Sequence, residues 1–234
     1  MIKVLFICHG NICRSPMAEF ILKDMARRAG IAGEFEIASA ATSSEELGSP
    51  VYPPARRKLA EHGIGCEGKT ARRIRASDYD DYDLLIGFDA ANMHNMARCF
   101  GGDGEGKLHR ITEYVGEPEA IVDDPWYTRD FDTAWDDIQR CCLGLLNTLH
   151  PLVVLDFRAC RERAELYEVM ADAMLWEPWY GRNLDALYDL LTGLPHLGER
   201  FRMLPPRADA PCRGYAEIIA QVFSDAGVDI DCAE

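Results

Sequence analysis

The chain has 234 residues and a formal net charge of −14, from 25 Lys+Arg against 39 Asp+Glu, a balance that argues against nucleic-acid binding, which relies on basic stripes. Its 48% hydrophobic and 27% charged fractions are those of a globular chain, and no uninterrupted apolar run approaches the ~18–20 residues of a membrane span. The nine cysteines are odd in number, irregularly spaced and free of any CxxC pair; with no secretory leader at the start, the expectation is a cytoplasmic protein without a zinc site.

Strand and helix signals alternate over the first 150 residues. An apolar run at 2–7 reads as a strand, and helical spacing of Met17, Phe20, Ile21, Met25 and Ala29 predicts a helix over 16–28, stopped by Gly30. A strand at 35–40, a helix at 54–62 ended by Gly63, and a strand at 83–88 follow. Next come a helix at 90–98, a glycine-rich turn, a short strand at 108–111, and a helix at 131–149 whose stripe is Ala134, Trp135, Ile138, Cys142 and Leu145. Such alternation predicts an α/β unit with a four-stranded parallel sheet and helices on both faces, with ligands at the carboxyl ends of the strands.

One of those ends reads Cys8-His9-Gly10-Asn11-Ile12-Cys13-Arg14-Ser15-Pro16. A cysteine and an arginine on a turn between strand and helix suit nucleophilic attack on phosphorus. Loop amides and a helix N-terminus attract an anion, the planar Arg14 fork grips two oxygens, and the same positive field favours a thiolate at Cys8. Gly10 allows close backbone approach or a positive φ, and Asn11 tolerates the left-handed region and braces the loop. Ser15 suits either a helix N-cap or a donor to the Cys8 sulfur, with Pro16 at the first helical position. His9 beside the nucleophile reads as a bystander.

These residues resemble the low-molecular-weight protein tyrosine phosphatases, through CHGNICRSPMAE at 8–19, SAATS at 39–43 and DDPWY at 123–127. The resemblance spans residues 1–150. It implies Cys8 as nucleophile, Arg14 as phosphate clamp, Asn11 as loop brace, Ser15 as helper of the thiolate, and Asp124 as general acid. It implies a phosphate loop of His9, Gly10, Asn11, Ile12, Cys13 and Ser15, and a reversible disulfide between Cys8 and Cys13. Trp126 and Tyr127 are then expected to wall a flat substrate ring, and negative charge nearby to keep Asp124 protonated. No metal or other cofactor is expected, since the cradle itself supplies the charge. Ser44-Glu45-Glu46-Leu47 stands where the family often has an aromatic residue flanking the site.

Pro151 breaks the last helix, and a strand at 152–156 opens a second unit over 151–234, followed by a helix at 161–173. Residues 1–150 hold 17 basic and 24 acidic residues and residues 151–234 hold 8 and 15, so the shorter segment is the more densely charged, and it has no lysine. Asn183 is a candidate cap for a helix ending at Gly193; Leu184, Leu187, Leu190 and Leu191 form its apolar stripe and Asp185 and Asp189 share its other face. The stretch WYGRNLDALYDLLTG at 179–193 resembles barstar, the intracellular ribonuclease inhibitor, as do, more weakly, a helix at 214–226 and a strand at 228–231. The resemblance implies a small α/β domain with a three-stranded parallel sheet. Trp179, Asp185, Asp189, Thr192 and Asp225 match its contact positions, and a basic ribonuclease-like protein is the implied partner.

The expected function is hydrolysis of phosphotyrosine, in a protein or a small aryl phosphate, through a cysteinyl-phosphate intermediate, with an appended protein-binding domain. The alternatives are an interaction protein with a vestigial phosphatase half, an arsenate reductase, or a protein-arginine phosphatase. Arsenate reduction is disfavoured because Ile86, Gly87 and Met93 occupy the region of the extra redox cysteines and Cys99 stands alone. Arginine phosphatases carry threonine where this chain has Ile12.

Overall fold

The computed structural model describes residues 1–29, 31–150, 152–174, 181–193 and 200–232. In chain order these form β1 (Ile2–Cys8), α1 (Arg14–Arg28), β2 (Phe35–Ala41), α2 (Pro53–Glu61), α3 (Asp78–Asp81), β3 (Leu84–Gly87), α4 (Ala90–Phe100) and β4 (Leu108–Arg110). There follow α5 (Pro125–Thr128), α6 (Phe131–Leu149), β5 (Leu152–Asp156), α7 (Arg163–Ala173), α8 (Leu184–Gly193), β6 (Arg200–Leu204), α9 (Arg213–Asp225) and β7 (Ile230–Cys232). The chain divides into two compact units, Met1–Arg27 with Ile31–Leu146, and Asn147–Glu234 with Arg28–Gly30.

In the first unit the strands are all parallel, in the order β2-β1-β3-β4. β1 is central and reads almost wholly apolar because both its faces are covered: Val4, Leu5, Phe6 and Ile7 are fully buried. The chain leaves β1 toward β2 on one side and reaches β3 on the other. The crevice beyond the carboxyl ends of β1 and β3 is therefore the switch point of the sheet, and Cys8 and Asp89 stand there. The α6 stripe expected from periodicity is buried in full. Gly144 on that helix has a steric reason: a Cβ would lie 2.3 Å from the Tyr114 carbonyl oxygen.

The second unit holds a three-stranded parallel sheet in the order β5-β6-β7. Its core gathers Leu155, Phe157, Leu166, Met170, Leu187, Phe201, Ile219 and Phe223. Leu187 and Leu191 of the expected α8 stripe are buried, while Leu184 and Leu190 are half-buried. Asn183 Oδ1 accepts from Ala186 N at 2.9 Å, as a capping side chain does.

Several boundaries differ from expectation for local reasons. α1 begins at Arg14, two residues before the proline. α7 begins at Arg163, where Glu165 Oε2 accepts from Glu162 N at 3.0 Å. The last strand starts at Ile230, because Val228 N still closes the end of α9 on Phe223 O after Gly227 at φ 75°. The central strand β6 has no counterpart among the individually predicted elements. Its Arg-Phe-Arg-Met-Leu run buries Phe201 and Met203 and exposes Arg202 between them, and two arginines in five residues obscure that alternation.

Candidate active site

The loop after β1 is built around Cys8. Its sulfur accepts a hydrogen bond from Asn11 N at 3.3 Å and lies 3.0 Å from Ser15 Oγ. The loop can turn this tightly because Asn11 sits in the left-handed region at φ 57°. The positive φ falls on Asn11 and not on Gly10, which is left with the role of close approach: its Cβ position is 3.4 Å from Glu46 Cγ. Ser15 lies inside the first turn of α1, so the capping alternative gives way to the sulfur contact.

Asn11 is buried with every polar side-chain atom used. Its amide donates to Ser15 Oγ at 2.9 Å and to Ser39 Oγ at 2.7 Å, and its Oδ1 accepts from Arg72 N at 3.2 Å. The donation to Ser15 fills an acceptor side of the hydroxyl and leaves its proton to the sulfur at 3.0 Å or the more distant Ala40 carbonyl at 3.4 Å. Behind Asn11, Ser39 Oγ donates to Glu19 Oε2 at 2.5 Å, and Lys69 Nζ reaches the same carboxylate at 2.8 Å. Burial opposes the Glu19 charge, but Lys69, Lys23 and Ser39 outweigh it and hold the carboxyl below its ordinary range. Burial in turn lowers the Lys69 pKa despite that partner.

Arg14 is almost wholly enclosed. One terminal nitrogen donates to Asp89 Oδ2 at 2.6 Å and to the Val122 carbonyl at 3.1 Å, and the other donates to Asp124 Oδ2 at 2.6 Å. Burial works against its charge, yet Cys8, Asp124 and Asp89 together raise its pKa above the ordinary value. Its Nε is buried with no hydrogen-bond partner among the described residues. The second oxygen of each carboxylate caps a helix: Asp89 Oδ1 accepts from Asn92 N and Asp124 Oδ1 from Trp126 N. Each acid is thus aimed by its helix and its arginine contact together. Beside the negative charge that the sequence places near Asp124, a guanidinium also sits directly against it.

Cys8 floors a cavity of about 100 Å³ lined by His9, Gly10, Ile12, Cys13, Asp124, Trp126 and Tyr127, with Glu45 and Glu46 at its rim. Trp126 and Tyr127 are exposed there, at 37% and 77%, so neither is core packing. Trp126 is braced by Tyr52, with ring centroids 4.9 Å apart, and by the Arg129 guanidinium over its face. His9 Nε2 pairs with Glu45 Oε2 at 3.1 Å, away from the sulfur. Cys13 is buried, and burial with the neighbouring Cys8 and Asp124 charges pushes its thiol well up. Among the described residues, no cluster of three metal-ligating side chains occurs.

Sequence reasoning did not single out Glu19, Lys69, Arg72 or Asp89. Glu19 carried one signal, an acid on the apolar face of a helix; Asp89 carried another, an acid just before a helix at the end of a strand. On the second unit, Asp185, Asp189 and Thr192 are exposed on α8, and Asp225 is exposed at the last residue of α9. Trp179 lies outside the described residues.

A four-stranded parallel sheet presenting a cysteine–arginine loop at its switch point defines an α/β protein with an oxyanion cradle. Residues 3–153 match the family model for low molecular weight phosphotyrosine protein phosphatase, and the chain belongs to that family. It is 36% identical over 150 residues to the low molecular weight protein-tyrosine-phosphatase YfkJ of Bacillus subtilis, covering 64% of this chain and 96% of the relative. It is 31% identical over 152 residues to the low molecular weight phosphotyrosine protein phosphatase of Gallus gallus, covering 63% and 96%. The crystal structure of YfkJ superposes with a TM-score of 0.62 over 64% of this chain and 94% of that one. Residues 150–230 match the model for barstar, the barnase inhibitor. Among the described residues no helix is long and apolar enough to cross a membrane.

Proposed function

We propose that the first unit hydrolyses phosphotyrosine through a covalent phosphocysteine, with Cys8 as nucleophile, Arg14 as clamp and Asp124 as proton donor. The observation that carries this reading is the joined arrangement of the Cys8 sulfur between Asn11 N and Ser15 Oγ, and of Arg14 bonded at 2.6 Å to Asp124. An entering phosphate monoester dianion takes up the guanidinium, including the Nε–H that has no partner among the described residues, and displaces Asp124 from it. Asp124 then faces a dianion instead of a cation, which favours its protonated form. Sulfur forms a bond to phosphorus as the bond from phosphorus to the ester oxygen breaks, and the Asp124 proton goes to the leaving phenolate. Water then attacks phosphorus, its proton passes to the Asp124 carboxylate, and the S–P bond breaks to return the thiolate. Loop amides and Arg14 stabilise the equatorial oxygens in both steps.

Trp126 and Tyr127 form the wall for the aromatic ring, and buried Ile12 gives the cavity an apolar lip. These features favour a phenyl ester over the charged phosphoguanidine of an arginine phosphatase. Cys99 supports no arsenate-reductase role, because it packs against the cluster of Leu5, Ile7, Leu85 and Met96. The setting we propose is the cytoplasm, and the boundary between working domains is 150/151. Rapid acid quench during turnover of an aryl phosphate, followed by peptide mass spectrometry, tests the mechanism: one phosphoryl group should be found on Cys8, and turnover with no label there would overturn it.

For the second unit we propose a protein-binding role through α8. Asp185 and Asp189, one helical turn apart, are exposed and have no ion-pair partner among the described residues. That suits a basic protein surface such as a ribonuclease of the barnase kind, with Thr192, Asp225 and Trp179 as further contacts. Inhibition of such a ribonuclease by the full chain, relieved by salt, tests it; an uninhibited ribonuclease at low salt would count against it.

A further inference from the structure

The eight basic residues of 151–234 are all arginine, and four of them, Arg158, Arg161, Arg207 and Arg213, line one cleft of about 990 Å³. The cleft opens beyond the carboxyl ends of β5 and β6, where Asp156 and Leu204 end their strands. Arg158 and Arg161 come from the segment between β5 and α7. Arg207 comes from the segment between β6 and α9, and Arg213 is the first residue of α9. The cleft lies outside the carboxyl ends of two neighbouring parallel strands, in a sheet whose order β5-β6-β7 has no switch point. The thirteen-residue helix α9 also begins there without a side-chain cap, which leaves its first amides and its dipole facing an anion.

Fifteen carboxylate side chains lie in this segment; three of them approach three of the four guanidiniums, two of those only loosely. Asp156 holds Arg158 through its Nε at 2.9 Å and a terminal nitrogen at 2.7 Å. Asp209 approaches Arg161 only to 3.7 Å and Glu217 approaches Arg213 only to 4.0 Å. Arg213 spends another donor on the Pro206 carbonyl at 2.6 Å. Arg207 is exposed with no side-chain partner among the described residues. Arginines gathered around one cavity repel one another, so an anion seated among them relieves that repulsion. Guanidinium forks match phosphate oxygens two at a time.

We propose that this cleft is an anion site that binds a di- or triphosphate chain, either free or as part of a nucleotide. Its volume stands at the upper end of the ~300–1,000 Å³ typical of ligand pockets, so it has room for a base and sugar beside the phosphates. The site is independent of the phosphate loop and does not rest on the phosphatase reading.

The test is amide NMR of the full chain titrated with inorganic tripolyphosphate and, separately, with ATP at low salt. Residues 157–163 and 205–214 should shift and saturate with a midpoint of their own, distinct from any response of residues 8–15. Arg207→Glu should raise that midpoint at least about tenfold, since it reverses a charge at the site, and Arg207→Lys should hold it within a few-fold. Added salt should weaken binding. Tighter binding of ATP than of tripolyphosphate assigns a nucleotide, and equal binding assigns the bare chain. Unmoved signals at 157–163 and 205–214, or an Arg207→Glu midpoint equal to that of the unmodified chain, would overturn the proposal. Amide signals of the β5, β6 and β7 core in Arg207→Glu should match those of the unmodified chain, which shows that the second unit of the variant is folded.

Discussion

The two acidic constellations of this protein stand in opposite environments. Around Cys8 the polar groups are enclosed and already engaged: Asn11 spends its whole amide, Ser39 joins it to Glu19, and Arg14 is clasped by Asp89 and Asp124. On α8, Asp185 and Asp189 face solvent with nothing opposite them among the described residues. Chemistry at phosphorus rewards donors fixed before the substrate arrives, because no reorganisation is then needed in the transition state. A docking face, the role proposed for α8, gains nothing from internal partners, since each would compete with a protein that binds there. The lesson is that one residue type, aspartate, is read by its surroundings: Asp124 is a positioned acid, Asp185 an unspent charge.

Substitutions should separate the two regions by the size and kind of their effects. Removing the proposed nucleophile with Cys8→Ser should reduce aryl phosphate hydrolysis by roughly 10⁴-fold or more, measured as kcat; near-normal turnover would dismiss the covalent route. Arg14→Lys keeps a charge but loses the fork, and kcat/KM should drop by ~10²–10³-fold. A loss confined to KM would instead assign Arg14 to ground-state binding alone. Asp124→Ala should cost ~10²-fold or more with a poor phenolate leaving group and far less with an activated one. An equal loss with both would remove Asp124 as the proton donor.

The network behind the loop should show itself in stability more than in rate. Glu19→Gln should destabilise by about 1–3 kcal/mol at neutral pH, as a buried charged hydrogen bond is weakened. The Glu19 carboxyl is held below its ordinary range, so its contribution is present above the unfolded-state value and is lost as pH falls through the lower folded-state value. Denaturation curves of the two proteins should therefore converge in acid; a gap that stays constant with pH would mean that Glu19 acts by packing. The smallest effect belongs to α8. Asp185→Ala should change stability by no more than ~0.5 kcal/mol and leave hydrolysis untouched, while weakening capture of a basic ribonuclease.

Much of this was legible along the chain, and unevenly. The helical stripe of α6 was plain because burial imposes a period of 3.6 over nineteen residues. Cys8, Arg14 and Asn11 were legible as a group because one short loop holds the proposed nucleophile and clamp and the residue that braces the turn, and local chemistry constrains them all. β6 was not seen as an element, since Arg200 and Arg202 interrupt a five-residue run too short to show its alternation. Asp89 and Lys69 were invisible as partners because nothing local joins them to Arg14 and Glu19, 75 and 50 positions away.

Local order was therefore largely set by the sequence alone: most strands and the longer helices, β6 excepted, that a cysteine and an arginine share one turn between strand and helix, and that the second segment is acidic and free of lysine. Tertiary folding decided the rest. It chose which carboxylates meet Arg14, gave Ser15 to the sulfur instead of the helix end, drew Glu19 and Lys69 together behind Asn11, and collected four arginines at one end of a three-stranded sheet. The physical reason is reach: propensity and periodicity act over a few residues, whereas ion pairs and buried hydrogen bonds depend on distances of about 3 Å that exist only once remote strands lie side by side.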